Sequence, residues 1–326
     1  MNIRDVWIRV ALLVLLVGAT GAGRFRAWSA TTVFETTSVY HHIRVVDEGG
    51  LRSLFFDNSE ESRVSLTDLA VGRFEYVDYF FMPWLWNPGL TNVLMIGLGG
   101  GSAQQAYGRY CPGVTVDTVE LDPVVLKVAT DHFGFAVGPR QRVFISDGRT
   151  FLQRSTGRYG AVLVDAYVEG RYGAAIPQHL ATREFFELAR DRLSTNGVVA
   201  YNCMGTLQGW KADLVGALYR TMKEVFPQVY LFPARESWNV VLVGTRDVEP
   251  REARELWPKA VPAWQAKKMQ LPTFFQRLSA LRVLPPPNAK TSPVLVDDFA
   301  PVEGLLGSGP RPAGSPPPVK DPPAGE

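Results

Sequence analysis

With 326 residues, 46% of them apolar and 20% charged, the chain is long enough to bury one large core and a smaller satellite domain. Its 34 basic and 32 acidic residues leave a net charge of +2 with no basic run, so nothing in it points to nucleic acid as a partner. Cys111 and Cys203 lie far apart without metal-ligand spacing, which predicts buried thiols, no disulfide framework and no metal centre.

In chain order, residues 1–30 stand apart. The uncharged stretch Val10–Gly23 lies between Arg9 and Arg24 and reaches the length of a short membrane segment if Val6-Trp7-Ile8 extend it. Two readings stand: a retained N-terminal anchor that makes the protein membrane-associated, or a signal-peptide core cleaved near Ala27-Trp28-Ser29, leaving a secreted or periplasmic chain. Arg24 and Arg26 directly after the apolar run favour the anchor. Residues 31–70 predict a small antiparallel β-domain, because His42–Val46 and Leu51–Phe56 flank the turn signal Asp47-Glu48-Gly49-Gly50.

Residues 71–249 alternate regularly. The aromatic-rich Phe74–Trp86 predicts a helix ending before Pro88, followed by the apolar run and glycine turn of Asn92–Ser102 and a helix from Ala103 to Tyr110. Strands are expected at Val114–Leu121, Arg142–Ser146, Gly160–Asp165, Gly197–Asn202, Val229–Phe232 and Asn239–Gly244. Helices are expected at Pro123–His132, Gly148–Arg154, Arg183–Leu193 and Leu207–Val225. This spacing gives an α/β, doubly wound, Rossmann-like sheet, mostly parallel and covered on both faces. Residues 250–307 read as a helical extension, and the Pro/Gly-rich residues 308–326 as a disordered tail.

In such a sheet a ligand sits outside the carboxyl ends of the strands, where strand order reverses. The turn after the first strand carries Gly97, Gly99, Gly100 and Gly101, which can cradle a charged nucleoside against bare backbone or can be an ordinary turn. Successive strand ends then bring Glu120, Asp147 next to Gly148, and Asp165. Taken singly, Asp147 and Asp165 could cap helices and Glu120 could be a solvated charge. Together, one carboxylate can hold a ribose diol, the next an adenine amine, and the third can face the reacting end. A nicotinamide site would not need the second, so the set favours a sulfonium nucleoside, S-adenosylmethionine or its decarboxylated form. His132 and His179 read as surface or capping residues, and Arg140 and Arg142 as solvated. Tyr79, Phe80, Phe81, Trp84 and Trp86 read as packing rather than a cofactor box, with a second subunit or the membrane surface as candidate faces.

From Tyr40 to Gly244 these motifs resemble the spermidine synthase (polyamine aminopropyltransferase) family, on a class I methyltransferase-type fold. The stretch Val296–Glu303 is similar to the C-terminal signature of a membrane-associated branch. The resemblance implies an aminopropyltransferase working on an amine acceptor such as a polyamine, and a homodimer. It implies that Gly97, Gly99, Gly101 and Gly148 line the nucleoside, Glu120 holds the ribose and Asp147 the adenine. Asp165 would match the first acid of an Asp-x-x-Asp loop and orient and deprotonate the amine. Phe74-Glu75-Tyr76-Val77-Asp78 resembles the helix that sets Tyr76 beside that amine, and His41 falls near a pocket-closing glutamine. Three positions depart from the family pattern: Gly100 replaces an Asp that holds the aminopropyl ammonium, Val168 replaces the second catalytic acid beside Glu169, and Ala234–Trp238 lacks the family's tyrosine. These departures keep two alternatives open, a methyltransferase on the same scaffold and a nucleoside-binding protein without catalysis.

Overall fold

The computed structural model describes residues 30–170 and 173–306. The Val10–Gly23 segment and residues 308–326 lie outside them. Strands β1 (Thr31–Thr37), β2 (His42–Glu48), β3 (Leu51–Phe56) and β4 (Ser59–Ser65) form an antiparallel meander in sequential order. The β2–β3 turn is the expected one, with Gly49 and Gly50 both at positive φ. One face of this sheet is apolar, and Ile43, Val45, Leu54 and Val64 bury themselves against Val125, Val128 and Phe133 of the following domain.

That domain is a seven-stranded sheet. Its strands are β5 (Asn92–Ile96), β6 (Thr115–Glu120), β7 (Gln141–Ile145), β8 (Tyr159–Val164), β11 (Leu193–Met204), β12 (Gln228–Pro233) and β13 (Asn239–Thr245), in the order β12-β13-β11-β8-β5-β6-β7. A small separate hairpin joins β9 (Val168–Gly170) to β10 (Gly173–Ala175). The pairs from β11 through β7 are parallel, while β13 runs antiparallel to both β11 and β12. Past Asn92, β5 is apolar and buried, as a strand covered on both faces is. Val93 and Met95 enter one core with α1 (Ser102–Tyr110), α6 (Ala253–Gln265) and α7 (Phe274–Leu278). Leu94 and Ile96 enter the other, with α3 (Gly148–Arg154), α4 (Arg183–Asp191) and α5 (Ala212–Lys223). Beneath the meander, α2 (Pro123–Phe133) starts as read, with Pro123 in its first turn and the Asp122 carboxylate capping the Val124 N–H at 2.8 Å.

Several expectations are corrected. The helix expected over Phe74–Trp86 is present at Glu75–Leu85, in 3-10 form, and it contains Pro83, which has no N–H to give to an α-helical ladder. Its aromatic cluster faces neither a second subunit nor a membrane: Tyr79, Phe80, Phe81 and Trp84 are each at most 2% exposed beneath α6 and α7. Helix α5 begins at Ala212, because Thr206 closes a turn onto Trp210, and Gly209 and Lys211 take left-handed φ. Helix α4 stops at Asp191, and Leu193 is already paired with Tyr159. After α7 the chain runs in turns and two short 3-10 segments, Pro287–Lys290 and Glu303–Leu305, and residues 294–302 are not helical but make a Val296–Phe299 bridge. Residues 250–306 contribute to the same two cores. Among the described residues no helix is long and apolar enough to cross a membrane.

Helix α7 is fastened by charge. Arg277 meets Glu75 at 2.6 Å and Asp78 at 3.1 Å, and Arg73 meets the other Asp78 oxygen at 2.7 Å. The remaining Glu75 oxygen accepts the backbone N–H groups of Arg235 and Glu236, so this cluster also fixes the Ala234–Trp238 loop. Both carboxylates are nearly inaccessible, at 3% and 7%. Removing one cation should therefore leave a buried charge short of its partner, and we expect Arg277→Met to destabilise by about 3 kcal/mol. Urea unfolding of the two proteins measures this, and a loss below about 1 kcal/mol, the value of an exposed pair, would reject the buried-cluster account.

Candidate active site

Strand order reverses between β5 and β8, so the crevice opens where the chain leaves those two strands, at Gly97 and at Asp165. The two exits touch. Gly97 has φ of +102°, and a Cβ there would lie 2.0 Å from the Asp165 carbonyl oxygen, so no other residue fits. Gly99, at φ +54°, faces Ser62 of β4, whose Oγ accepts the Gly100 N–H at 2.9 Å. The small β-domain is thereby pinned onto the glycine turn. Gly101 is the left-handed N-cap of α1 and Gly148 opens α3 against Ile96.

Over this turn lies a cleft of about 1080 Å³, its solvent mouth included. Gly97, Gly99, Glu120, Asp147, Gly148, Asp165 and Tyr76 all line it; of the residues expected here, Gly100 and Gly101 stand back, the first against Ser62 and Phe133 and the second at the helix cap. His41, which the resemblance set near the pocket's closing position, lines it too, and the structure adds Glu61, Ser62, Tyr167 and His179. Among the described residues the lining holds four carboxylates, two histidines and neither lysine nor arginine. Such a cleft attracts cations and disfavours anions.

The acids are held differently. Each oxygen of Glu120 accepts one backbone N–H, from Asp122 at 2.9 Å and Leu98 at 3.0 Å. This latches the glycine turn and leaves one lone pair on each oxygen for a diol. Burial raises the Glu120 carboxyl to about 7 in spite of those donors. Asp147 does cap α3, accepting the Thr150 N–H at 2.8 Å, while its other oxygen meets His179 Nε2 at 2.7 Å. Burial pushes the Asp147 carboxyl up, but the Thr150 N–H and His179 together bring it below its usual value. An adenine amine would share Asp147 with His179. That histidine is therefore no plain surface residue.

Asp165 caps nothing. Its Oδ2 accepts the Tyr76 hydroxyl at 3.1 Å and its Oδ1 the Asn202 amide at 2.9 Å. Asn202 is oriented in turn by Asn239 at 3.0 Å, and its carbonyl accepts the Tyr167 hydroxyl at 3.2 Å. Burial carries the Asp165 carboxyl up to about 6, with Asn202 and then Tyr76 acting in the other direction. The Tyr76 phenol is pushed far above 10, first by burial and then by the Asp165 charge, so it remains a donor. His41 stacks on Phe56 with ring centres 4.4 Å apart, and burial lowers its pKa.

Sequence reasoning missed Asn202, although it stands near the carboxyl end of β11 and the strand-end rule applied to one more strand reaches it. Glu61 and Ser62 carried no local signal, because nothing in β4 says which domain it packs on. Arg142 is not simply solvated: it is bidentate to the buried Asp117 at 2.6 and 2.8 Å.

A doubly wound sheet whose last strand returns antiparallel, with a cation-attracting cleft over a glycine turn, defines a methyltransferase-type nucleoside fold. Comparison with known proteins narrows this. Residues 80–236 match the spermine/spermidine synthase domain. A polyamine aminopropyltransferase of Vibrio vulnificus is 32% identical over 253 residues, covering 75% of this chain and 80% of that one. The eEF1A lysine and N-terminal methyltransferase of Xenopus laevis is 31% identical over 169 residues, 48% of this chain but 24% of its own length. Among solved structures, a probable spermidine synthase from Corynebacterium glutamicum shares the fold, with a TM-score of 0.59 at 18% identity, covering 70% of this chain and 87% of that one. The chain belongs to the spermine/spermidine synthase family.

Because the Asn202 amide stabilises the charged carboxylate, its removal should raise the Asp165 titration above about 6. We expect Asn202→Ala to move that titration upward in carboxyl carbon NMR while Asp147 is unmoved. A downward move would reverse the assigned role of the amide.

Proposed function

We propose that the protein transfers an aminopropyl group from decarboxylated S-adenosylmethionine to an amine acceptor. The observation that carries this reading is the cleft charge: four carboxylates and no basic side chain among its described residues, with Asp165 held between Tyr76 and Asn202 at the strand-order reversal. Both proposed substrates are cations. In this reading Gly97 and Gly99 give the nucleoside a close backbone seat, Glu120 takes the ribose hydroxyls, and Asp147 beside Gly148 takes the adenine amine.

The chemistry is displacement at the carbon bonded to the sulfonium. The amine lone pair forms the new C–N bond as the C–S bond breaks, and its electrons neutralise sulfur, leaving methylthioadenosine. The proton lost by the amine passes to Asp165, which is ionised above about pH 6. Tyr76 positions that carboxylate, and alignment supplies much of the rate. Glu61 brings a carboxylate that offsets Gly100 and Val168, where the family pattern has acids.

A second reading, methyl transfer, is favoured by Gly100 and by the matched methyltransferase segment. Incubation with either sulfonium donor and a diamine, read by mass spectrometry, separates them. A polyamine longer by one aminopropyl unit with methylthioadenosine supports the first. Methylated acceptor with S-adenosylhomocysteine sinks it. We further expect Asp165→Asn to lower turnover about 10²- to 10⁴-fold while methylthioadenosine affinity stays within a few-fold. Asp147→Ala should instead weaken that affinity about ten-fold, as the loss of a charge-assisted hydrogen bond does. Calorimetry and initial rates on both variants check the split.

A further inference from the structure

Asp147 is held at both oxygens, and only one of the two ties comes from its own helix. Oδ1 accepts the Thr150 N–H at 2.8 Å, and Oδ2 accepts from His179 Nε2 at 2.7 Å, the ring being the donor because an ionised carboxylate has no proton to give. Two partners fix the plane of the carboxylate, where one would leave it free to rotate, and each oxygen keeps a lone pair for a ligand. His179 lies in the short 3-10 turn Gln178–Leu180, and with Pro177 and Leu180 it lines the cleft. The place of that turn is set from outside. Arg149 donates to the His179 carbonyl at 3.2 Å, and the same guanidinium grips Asp297 with bonds of 2.7 and 2.6 Å. Thr182, just past the turn, donates its hydroxyl to Asp297 at 2.7 Å while accepting the Phe185 N–H at the start of α4.

Asp297 does not line the cleft and stands 115 positions from Thr182. Its segment is docked without that side chain. Leu295 and Val302 are fully buried in the core beside α4 and α5, the Leu295 N–H meets Thr221 Oγ1 at 2.9 Å, and the Leu295 carbonyl accepts the Arg183 N–H at 2.8 Å. The Asp297 side chain is 40% exposed, and an ion pair so exposed contributes little to stability. What the carboxylate adds is aim, because Arg149 of α3 and Thr182 ahead of α4 converge on it from either end of the His179 turn. We infer that Asp297 is a positioning residue for adenine, acting through Arg149 and Thr182 on that turn, so that the C-terminal stretch Val296–Glu303 sets how strictly Asp147 reads the exocyclic amine. The inference rests on the proposed function above, since it takes Asp147 to face adenine. It gives work to a stretch that the transfer chemistry itself does not use.

Calorimetric titration tests it with two ligands, methylthioadenosine and its purine riboside analogue, the same nucleoside with hydrogen in place of the amine. The wild type should prefer the amine about ten-fold, as one charge-assisted hydrogen bond does. Asp297→Ala should shrink that preference about three-fold, by weakening methylthioadenosine and not the analogue. Asp297→Asn keeps an oxygen for Thr182 and one Arg149 N–H, so it should fall between the two. His179→Ala should shrink the preference as much as Asp297→Ala does, and the double variant should shrink it no further, because both act on one contact. A merely structural loss would weaken both ligands equally and leave the preference at its wild-type value, which would overturn the inference. So would losses that multiply in the double variant, or a preference that rises when His179 is removed. Equal binding of the two ligands by the wild type would overturn it together with the reading of Asp147. Absence of methylthioadenosine binding by the wild type would instead sink the nucleoside reading itself. Should Asp297→Ala show no cooperative thermal melt, Asp297→Asn decides, and an unchanged preference there counts against the inference.

Discussion

Asp165 is a carboxylate kept where its charge is disfavoured, and much of the site is arranged to hold it there. Its backbone closes against Gly97 so tightly that the exits of β5 and β8 form one surface. Its two oxygens are tied to parts of the chain that are far apart in sequence, Tyr76 on the 3-10 helix and Asn202 on β11. Each tie has its own support. Tyr76 is carried by a helix whose Glu75 and Asp78 are locked by Arg277, and Asn202 is held by Asn239 across the antiparallel strand β13. The ion cluster under α7 lies away from the cleft, yet it fixes the element from which the phenol reaches Asp165.

The small β-domain is a wall of the site as well as a neighbour to it. β4 sends Ser62 to the Gly100 N–H and contributes Glu61 to the cleft, so closing the meander onto α2 also completes the acidic lining. On the opposite side, Arg149 holds Asp297 at 2.6 Å while also donating to the His179 carbonyl. The Val296–Glu303 stretch thus steadies the histidine that contacts Asp147. Both the first and the last parts of the described chain converge on the nucleoside end.

What could be read from the amino-acid order was what depends on local periodicity. The strand and helix succession gave the sheet, and the strand-end rule gave Glu120, Asp147 and Asp165, because each lies within a residue or two of an apolar run. The contact between Tyr76 and Asp165 spans 89 positions and was reachable only through family resemblance. Glu61, Ser62 and the Asp147–His179 pair depend on how domains and loops dock, which no window of residues encodes. The aromatic cluster was misplaced for a similar reason: Phe80, Phe81 and Trp84 are apolar enough for any interface, and only the fold of residues 253–278 decides that they are internal. The single turn at Thr206 shows the converse, a local hydrogen-bonding knot that overrides helical propensity from Leu207 onward.

The raised carboxyls link stability to occupancy. Glu120 and Asp165 have folded pKa values, about 7 and about 6, that lie above their ordinary ones. The folded chain therefore holds protons that the unfolded chain releases, so their contribution to stability is present at low pH and is lost as pH rises through about 6 to 7. At neutral pH the cleft carboxylates carry charges that burial disfavours. A cation entering it reverses that balance, favouring the ionised forms and restoring stability as it binds. The same feature that weakens the free protein above pH 7 is thus what makes it receptive to a sulfonium and an amine together, and the ionised Asp165 that results is the form able to accept the proton released when the new C–N bond forms.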